Sequence, residues 1–172
     1  MKTYIVLLRG INVSGKNKLP MAELRELLND LKFENVQTYI QSGNIILTSE
    51  ESKKIICKKI KKGIAFKFGY DVPVIARTVE ELENVIENYP FPIDNPKIVA
   101  FVFLDKASEF SEIEIKNIGD DQFKIDKDVV YFYCPNGFGK SKITNNLFEK
   151  KLKVTATTRN YNTTIKLLDL AR

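Results

Sequence analysis

The chain has 172 residues, of which 44% are hydrophobic, and its 27 Lys and Arg residues against 22 Asp and Glu residues give a formal net charge of +5. It contains no histidine, which excludes a Ser-His-Asp triad, imidazole acid–base catalysis and histidine-ligated metal centres. Its two cysteines, Cys57 and Cys134, cannot form a tetrahedral thiolate metal site and do not indicate a disulfide-stapled secreted protein.

The first half of the sequence predicts strands and helices in the order βαββαβ, which is the order of a ferredoxin-like fold. Apolar runs indicate the buried strands, and apolar residues at helical spacing indicate the helices. Two strands are predicted to join at Ser42-Gly43 through a two-residue hairpin turn, and Pro73 favours an edge strand. The predicted elements are a strand at 3–9, a helix after Pro20, strands at 36–41 and 44–48, a lysine-rich helix over 50–67 and a strand at 71–77.

The second half begins after a helix that Thr78 and Glu81 are predicted to cap and that Pro90 ends. The following elements are predicted as a strand at 97–104, a helix near 108–117, strands at 121–126 and 128–133, a helix over about 141–152, a strand at 154–158 and a helix over about 162–171. We therefore predict an α+β protein with a ferredoxin-like subdomain plus one helix at 1–90. A second α+β subdomain is expected at 91–172, packed against the first, with a pattern suggestive of a degenerate repeat.

Two segments of the first half carry polar side chains that suit anion binding. The loop after the first strand contains Arg9, Asn12, Lys16 and Asn17 with two glycines, which could cradle a phosphate or carboxylate or could form a plain solvated connection. The predicted hairpin contains Gln41, Ser42 and Asn44. Because strand three runs antiparallel beside strand one in a sheet of order 4-1-3-2, we expect the loop and the hairpin to emerge at the same end.

Two segments of the second half carry similar groups. Residues 134–142 contain the sequence Gly139-Lys140-Ser141, but Cys134 stands where a nucleotide-hydrolase loop needs glycine. A glycine-rich turn with Ser141 as a helix N-cap is the simpler interpretation. Arg159, Asn160 and Asn162 stand at the start of the last predicted helix. Residues of this segment, such as Asn162, could cap the helix, or the segment could hold an anion at the helix N-terminus.

The predicted helix over 50–67 has a lysine-rich outer face, which is either a solvated surface or a face that binds nucleic acid. The lysines occupy positions 53, 54, 58, 59, 61 and 62. Aromatic residues that could stack on bases are absent from this face, apart from Phe66 and Phe68 at its end. We therefore keep nucleic-acid binding as an alternative.

Three blocks of the sequence resemble the signature blocks of a bacterial family, domain of unknown function 1697. They are YIVLLRGINVSGKNKLPMAELRELL, TYIQSGNIILTS and ATTRNYNTTIKLLDLA. The resemblance runs from Tyr4 to Leu170 and implies a two-part α+β protein with a ferredoxin-like N-terminal half and no established activity. The family pattern matches all ten of the polar residues singled out at positions 9, 12, 16, 17, 41, 42, 44, 159, 160 and 162. Ser14 stands where the family usually has glycine, which leaves Gly15 to permit a close backbone approach.

These observations favour a cytoplasmic protein that binds a small anionic ligand, phosphorylated or nucleotide-like, in a cleft between the two subdomains. The N-terminus lacks a signal-peptide pattern and no apolar run approaches the ~20 residues that cross a bilayer, so we expect no membrane association. We expect no metal and no cofactor, and catalysis stays an open question. The alternatives are a nucleic-acid-binding module that uses the lysine-rich helix and a protein–protein interaction module that uses an exposed sheet edge.

Overall fold

The computed structural model describes residues 1–172, which form two four-stranded antiparallel sheets and five α-helices. The strands are β1 (Lys2–Leu8), β2 (Glu34–Tyr39), β3 (Asn44–Ser49), β4 (Val74–Thr78), β5 (Val99–Leu104), β6 (Gln122–Asp126), β7 (Val129–Tyr133) and β8 (Ala156–Asn160). The helices are α1 (Met21–Asp30), α2 (Lys53–Phe68), α3 (Val79–Glu87), α4 (Asn145–Leu152) and α5 (Tyr161–Ala171). None of these helices combines the length and apolar character that a membrane span requires. The mixed α and β class that the sequence predicts is confirmed.

The first compact unit comprises Met1–Asn84 together with Leu167–Arg172. Its sheet has the order β2-β3-β1-β4, which is the predicted order 4-1-3-2, and β4 lies at the edge that Pro73 favours. Alternate β1 residues, such as Val6 and Leu8, pack into a core with α1 and α2, while Ile5 on the opposite face is buried as well. Burial on both faces explains why β1 is a continuous apolar run.

The connection between β2 and β3 is longer than the sequence predicts. β2 ends at Tyr39, and residues 40–43 form a four-residue connection before Asn44 pairs with Tyr39. Ile40 leaves the extended conformation with φ 51°, and the Gly43 carbonyl accepts a hydrogen bond from Leu8 N at 2.8 Å. Gly43 therefore joins β1 instead of closing a two-residue turn, and the predicted turn is wrong.

The second compact unit comprises Val85–Lys166, and its sheet has the order β6-β7-β5-β8, the same pattern as in the first sheet. The helix predicted near 108–117 is wrong, since residues 105–121 form an irregular loop. Ile113 and Ile115 of this loop pack against the core of the unit, while Glu112 and Glu114 are exposed. A period of two is that of an extended chain and does not give a helix an apolar face.

Side chains at the helix N-termini explain where the helices begin. The predicted capping box is confirmed, because Thr78 N donates to Glu81 Oε2 at 2.8 Å and Glu81 N donates to Thr78 Oγ1 at 3.2 Å. Ser141 is not the cap of α4; Thr144 is, and its hydroxyl accepts from the N–H of residue 147. Asn160 caps α5, since its Oδ1 accepts from Thr163 N at 2.8 Å.

Candidate functional site

The segment of residues 9–19 that follows β1, hereafter the β1 loop, is a folded miniature hairpin. Ser14 and Gly15 at its tip have φ values of 50° and 73°, as in a type I′ turn. Lys16 N closes the turn by donating to Val13 O at 2.9 Å. The β1 loop therefore has a defined hairpin structure, whereas the sequence also allowed a plain solvated connection.

The side chains of Asn12 and Asn17 hold the β1 loop in place. Asn12 Nδ2 donates to Leu19 O at 3.0 Å and to Gln41 O at 2.7 Å, while Asn12 Oδ1 accepts from Leu19 N at 2.8 Å. Asn17 Nδ2 donates to Gly10 O at 3.0 Å. Both side chains bond to the backbone of the protein, so these residues shape the site.

The β2–β3 connection, residues 40–43, lies against β1 through Gly43. A Cβ atom at Gly43 would stand 2.6 Å from Leu8 Cβ, so only glycine permits this approach. Asn44 is fully buried, and its Nδ2 donates to Tyr39 O at 3.1 Å and to Ser42 Oγ at 2.8 Å. Asn44, like Asn12, is a structural residue of the site.

This end of the first sheet carries the exposed positive charges of Lys16 and Lys18. Neither residues 1–22 nor residues 35–49 contain Asp or Glu. Lys16 and Lys18 are exposed and make no ion pair. Arg9 is half-buried, and its backbone N–H donates to the carbonyl oxygen of residue 73 at 3.1 Å. Two unpaired lysines therefore lie on the β1 loop, which the Asn12 side chain joins to Gln41.

Arg159, Asn160 and Asn162 belong to the second unit, whereas the other seven candidate site residues belong to the first. Arg159 is buried, and its Nη1 donates to Thr157 Oγ1 at 2.6 Å and to Thr158 O at 3.0 Å. Burial lowers the pKa of the Arg159 guanidinium to about 10, so it stays charged at neutral pH. Asn160 is a helix cap, and Asn162 is exposed.

The structure divides the lysines of α2 into two groups. Four of the helix's lysines pair with carboxylates, and the pairs are Lys53 with Glu81, Lys59 with Glu51, Lys61 with Asp71 and Lys67 with Glu26. Lys54, Lys58 and Lys62 are exposed and unpaired. Together with Phe66, which is 95% exposed, they recur every four residues along one stripe of the helix. The sequence indicates the lysine-rich face with Phe66 at its end, but only the ion pairs show which of its lysines are unpaired.

Both cysteines are free, and neither is a reactive thiol. Cys134 is fully buried, and desolvation raises the pKa of its thiol to about 11. Burial also raises the pKa of Cys57. Since the thiolate is the nucleophile, both groups are poor nucleophiles near neutral pH.

Comparisons with known proteins identify the family. The structure is similar to that of a conserved bacterial protein, SP0830 from Streptococcus pneumoniae, with a TM-score of 0.70, 28% sequence identity and 99% coverage of each chain. No curated protein matches the sequence. The model of a family described as protein of unknown function DUF1697 matches residues 1–131, which include the β1 loop and the β2–β3 connection but not the last resembling block. This match covers most of the chain, and the chain therefore belongs to the DUF1697 family.

Proposed function

We propose that this protein binds a small anionic ligand, phosphorylated or nucleotide-like, at the end of the first sheet where the β1 loop meets the β2–β3 connection. The observation that carries the proposal is the pairing of a pre-formed framework with unbalanced positive charge. Asn12 fixes the two segments to each other, and Lys16 and Lys18 stand there without a carboxylate partner. The proposed setting is the cytoplasm of a bacterium, which fits two free cysteines and the likeness to a bacterial protein.

The candidate residues would have different roles in this site. Lys16 and Arg9 would supply charge-assisted hydrogen bonds to the anion, while Gln41 would supply an exposed neutral amide. The backbone N–H groups of Ser14 and Gly15 lie at the exposed tip of the β1 loop and make no hydrogen bond within the chain. Such N–H groups in turns are suited to anions. The rigid backbone of the β1 loop would then determine which ligand the site selects, and the charges of Lys16 and Arg9 would provide the affinity.

The test is a thermal-shift and calorimetric titration with inorganic phosphate, AMP, ATP and glucose 6-phosphate, and with adenosine and glucose as uncharged counterparts. At least one anionic compound should stabilise the wild type, and Lys16→Ala should weaken its binding about tenfold, since one charge-assisted hydrogen bond is lost. Lys2→Ala is the matched control, because Lys2 is exposed at the opposite end of β1. The proposal is wrong if no anion binds, or if the Lys16 and Lys2 variants bind equally well.

A second candidate function is binding of single-stranded nucleic acid by the α2 stripe, defined by Lys54, Lys58, Lys62 and Phe66. The stripe extends over about 18 Å of helix and ends in a nearly fully exposed aromatic ring. Unpaired lysines release counterions from a phosphate backbone, and an exposed ring can stack on a base.

This candidate is tested by the fluorescence anisotropy of labelled single-stranded RNA at 50 and 200 mM salt. Binding should weaken steeply with salt, and the double substitution Lys58→Gln with Lys62→Gln should abolish most of it. Lys150→Gln with Lys151→Gln on α4 changes the net charge equally and should have little effect, because both lysines lie outside the stripe. Equal losses in the two double variants would leave only a nonspecific charge effect and would reject the stripe as the binding face.

A further inference from the structure

The second unit contains a cavity of about 240 Å³ that the proposed function does not use. It is formed by the end of the 105–121 loop and by the 134–142 segment, and its lining includes Asp120, Asp121, Asn136, Lys140 and Lys142. In the first unit the corresponding connection between the first two strands contains helix α1. An irregular loop of this length is uncommon in a compact unit unless it serves a function.

The wall of the cavity is built around a buried carboxylate. Asp121 is only 7% exposed, and its Oδ2 accepts a hydrogen bond from Ser141 Oγ at 2.6 Å. Ser141 Oγ in turn accepts from the N–H of Ile143 at 3.0 Å. Asn136 Nδ2 donates to Asp120 Oδ2 at 3.3 Å. Neutral donors thus orient both carboxylates, and no positive charge of the protein is bonded to either.

Charges of both signs line the cavity and remain unpaired. None of the four charged residues, Asp120, Asp121, Lys140 and Lys142, makes an ion pair. A buried carboxylate without a cationic partner is costly unless something neutralises it. A ligand with one positive and one negative group would pair with both sets of charges at once.

We propose that this cavity binds a small zwitterion that carries one primary ammonium group and one anionic group, as an α-amino acid does. The ammonium group donates hydrogen bonds to the carboxylates of Asp120 and Asp121, and the anionic group accepts them from Lys140 and Lys142. The volume is below the 300–1,000 Å³ of typical pockets for drug-sized ligands, which limits the ligand to a small metabolite. The 134–142 segment, whose sequence resembles a phosphate-binding loop only in its Gly-Lys-Ser ending, thereby gains a role.

The test is a titration of the full chain with glycine, L-alanine, L-serine, L-glutamine and phosphoethanolamine, read by calorimetry and thermal shift. Ethylamine and acetate carry one charge each and serve as single-charge probes. At least one zwitterion should bind, and it should bind at least tenfold more tightly than either single-charge probe. Asp120→Asn and Lys142→Gln should each weaken that binding about tenfold, and both residues are exposed, so the fold should be retained.

Lys116→Gln is the matched control, since Lys116 is exposed on the same loop and does not line the cavity. Its binding should equal that of the wild type. Absence of binding by all five zwitterions overturns the proposal. The proposal is also overturned if a single-charge probe binds as tightly as the best zwitterion, or if Lys116→Gln weakens zwitterion binding as much as Lys142→Gln does. Because Lys16 lies in the other unit, Lys16→Ala should leave zwitterion binding unchanged, which separates this site from the proposed anion site.

Discussion

Asn12 and Gln41 join two loops that are 29 residues apart, through a hydrogen bond of 2.7 Å from Asn12 Nδ2 to Gln41 O. The same amide group also bonds both the N–H and the carbonyl of Leu19. One side chain therefore closes the β1 loop upon itself and fixes it to the β2–β3 connection. The candidate anion site depends on this side chain for its shape.

Replacing Asn12 by glycine should destabilise the protein by about 2 kcal/mol, because three hydrogen bonds are lost. Glycine tolerates the φ of 53° that Asn12 adopts, so the effect should report the side chain and not backbone strain. Ser14→Gly is the matched control: Ser14 has φ 50° in the same loop and makes no hydrogen bond. Urea unfolding should show little change for Ser14→Gly, and equal losses in the two variants would contradict the role of Asn12.

The sequence predicts that these two loops lie at the same end of the sheet, but it does not predict the hydrogen bonds that fix them to each other. Strand order follows from apolar runs and helical periodicity, so the proximity of residues 9–19 to residues 40–43 could be inferred. The sequence predicts Asn12, Asn17 and Asn44 as ligand-binding residues, but polar side chains in loops can also bond to the backbone, as these three do. Only the hydrogen-bond geometry distinguishes these roles, since a single amide can satisfy backbone groups far away in sequence.

The helix predicted near 108–117 failed for a related reason. Ile113 and Ile115 alternate with exposed glutamates and pack as an extended chain. Tertiary packing overrides propensity where apolar spacing does not fit a helix. The cavity of the second unit lies at the end of this loop. A helix predicted over 108–117 therefore gives no indication of this second candidate site.

Gly43→Ala should be strongly destabilising, by about 3 kcal/mol, because the new methyl group would stand 2.6 Å from Leu8 Cβ at a φ of 81°. Gly15→Ala separates the two causes. Gly15 has a similar φ of 73° but open space around its Cβ position, so its cost should be about 1 kcal/mol from backbone strain alone. The two free energies of unfolding, measured in urea, should differ clearly; similar values would mean that the approach of Gly43 to β1 is not tight.

Asn160→Ala should cost about 1 kcal/mol of stability, because the N-cap of α5 is lost. Asn162, two residues later, is exposed and donates no structural hydrogen bond, so Asn162→Ala should be nearly neutral. Thermal unfolding of the two variants makes the comparison. A larger loss for Asn162→Ala than for Asn160→Ala would contradict the assignment of Asn160 as the cap.

The ion pair between Glu81 and Lys53 should make stability depend on pH. Burial raises the pKa of the Glu81 carboxyl, but hydrogen bonds from the Lys53 side chain and from Thr78 N–H outweigh burial and bring the pKa below its ordinary 4.5. A lowered pKa in the folded state means that the stabilisation is complete above that ordinary value and is lost as the pH falls through the folded pKa. Glu81→Gln should therefore be less stable than wild type by about 0.5–1 kcal/mol at pH 7.

The difference between Glu81→Gln and wild type should shrink as the pH falls from 5 to 3, because the wild-type carboxyl becomes neutral like the amide. Urea unfolding at pH 7, 5, 4 and 3 measures it. Glu80→Gln provides the control, since Glu80 is exposed on the same helical turn and makes no ion pair. Glutamine still accepts the bond from Thr78 N–H, so only the charge is lost in Glu81→Gln. A constant difference between Glu81→Gln and wild type across this range would therefore contradict the role of the ionised carboxyl.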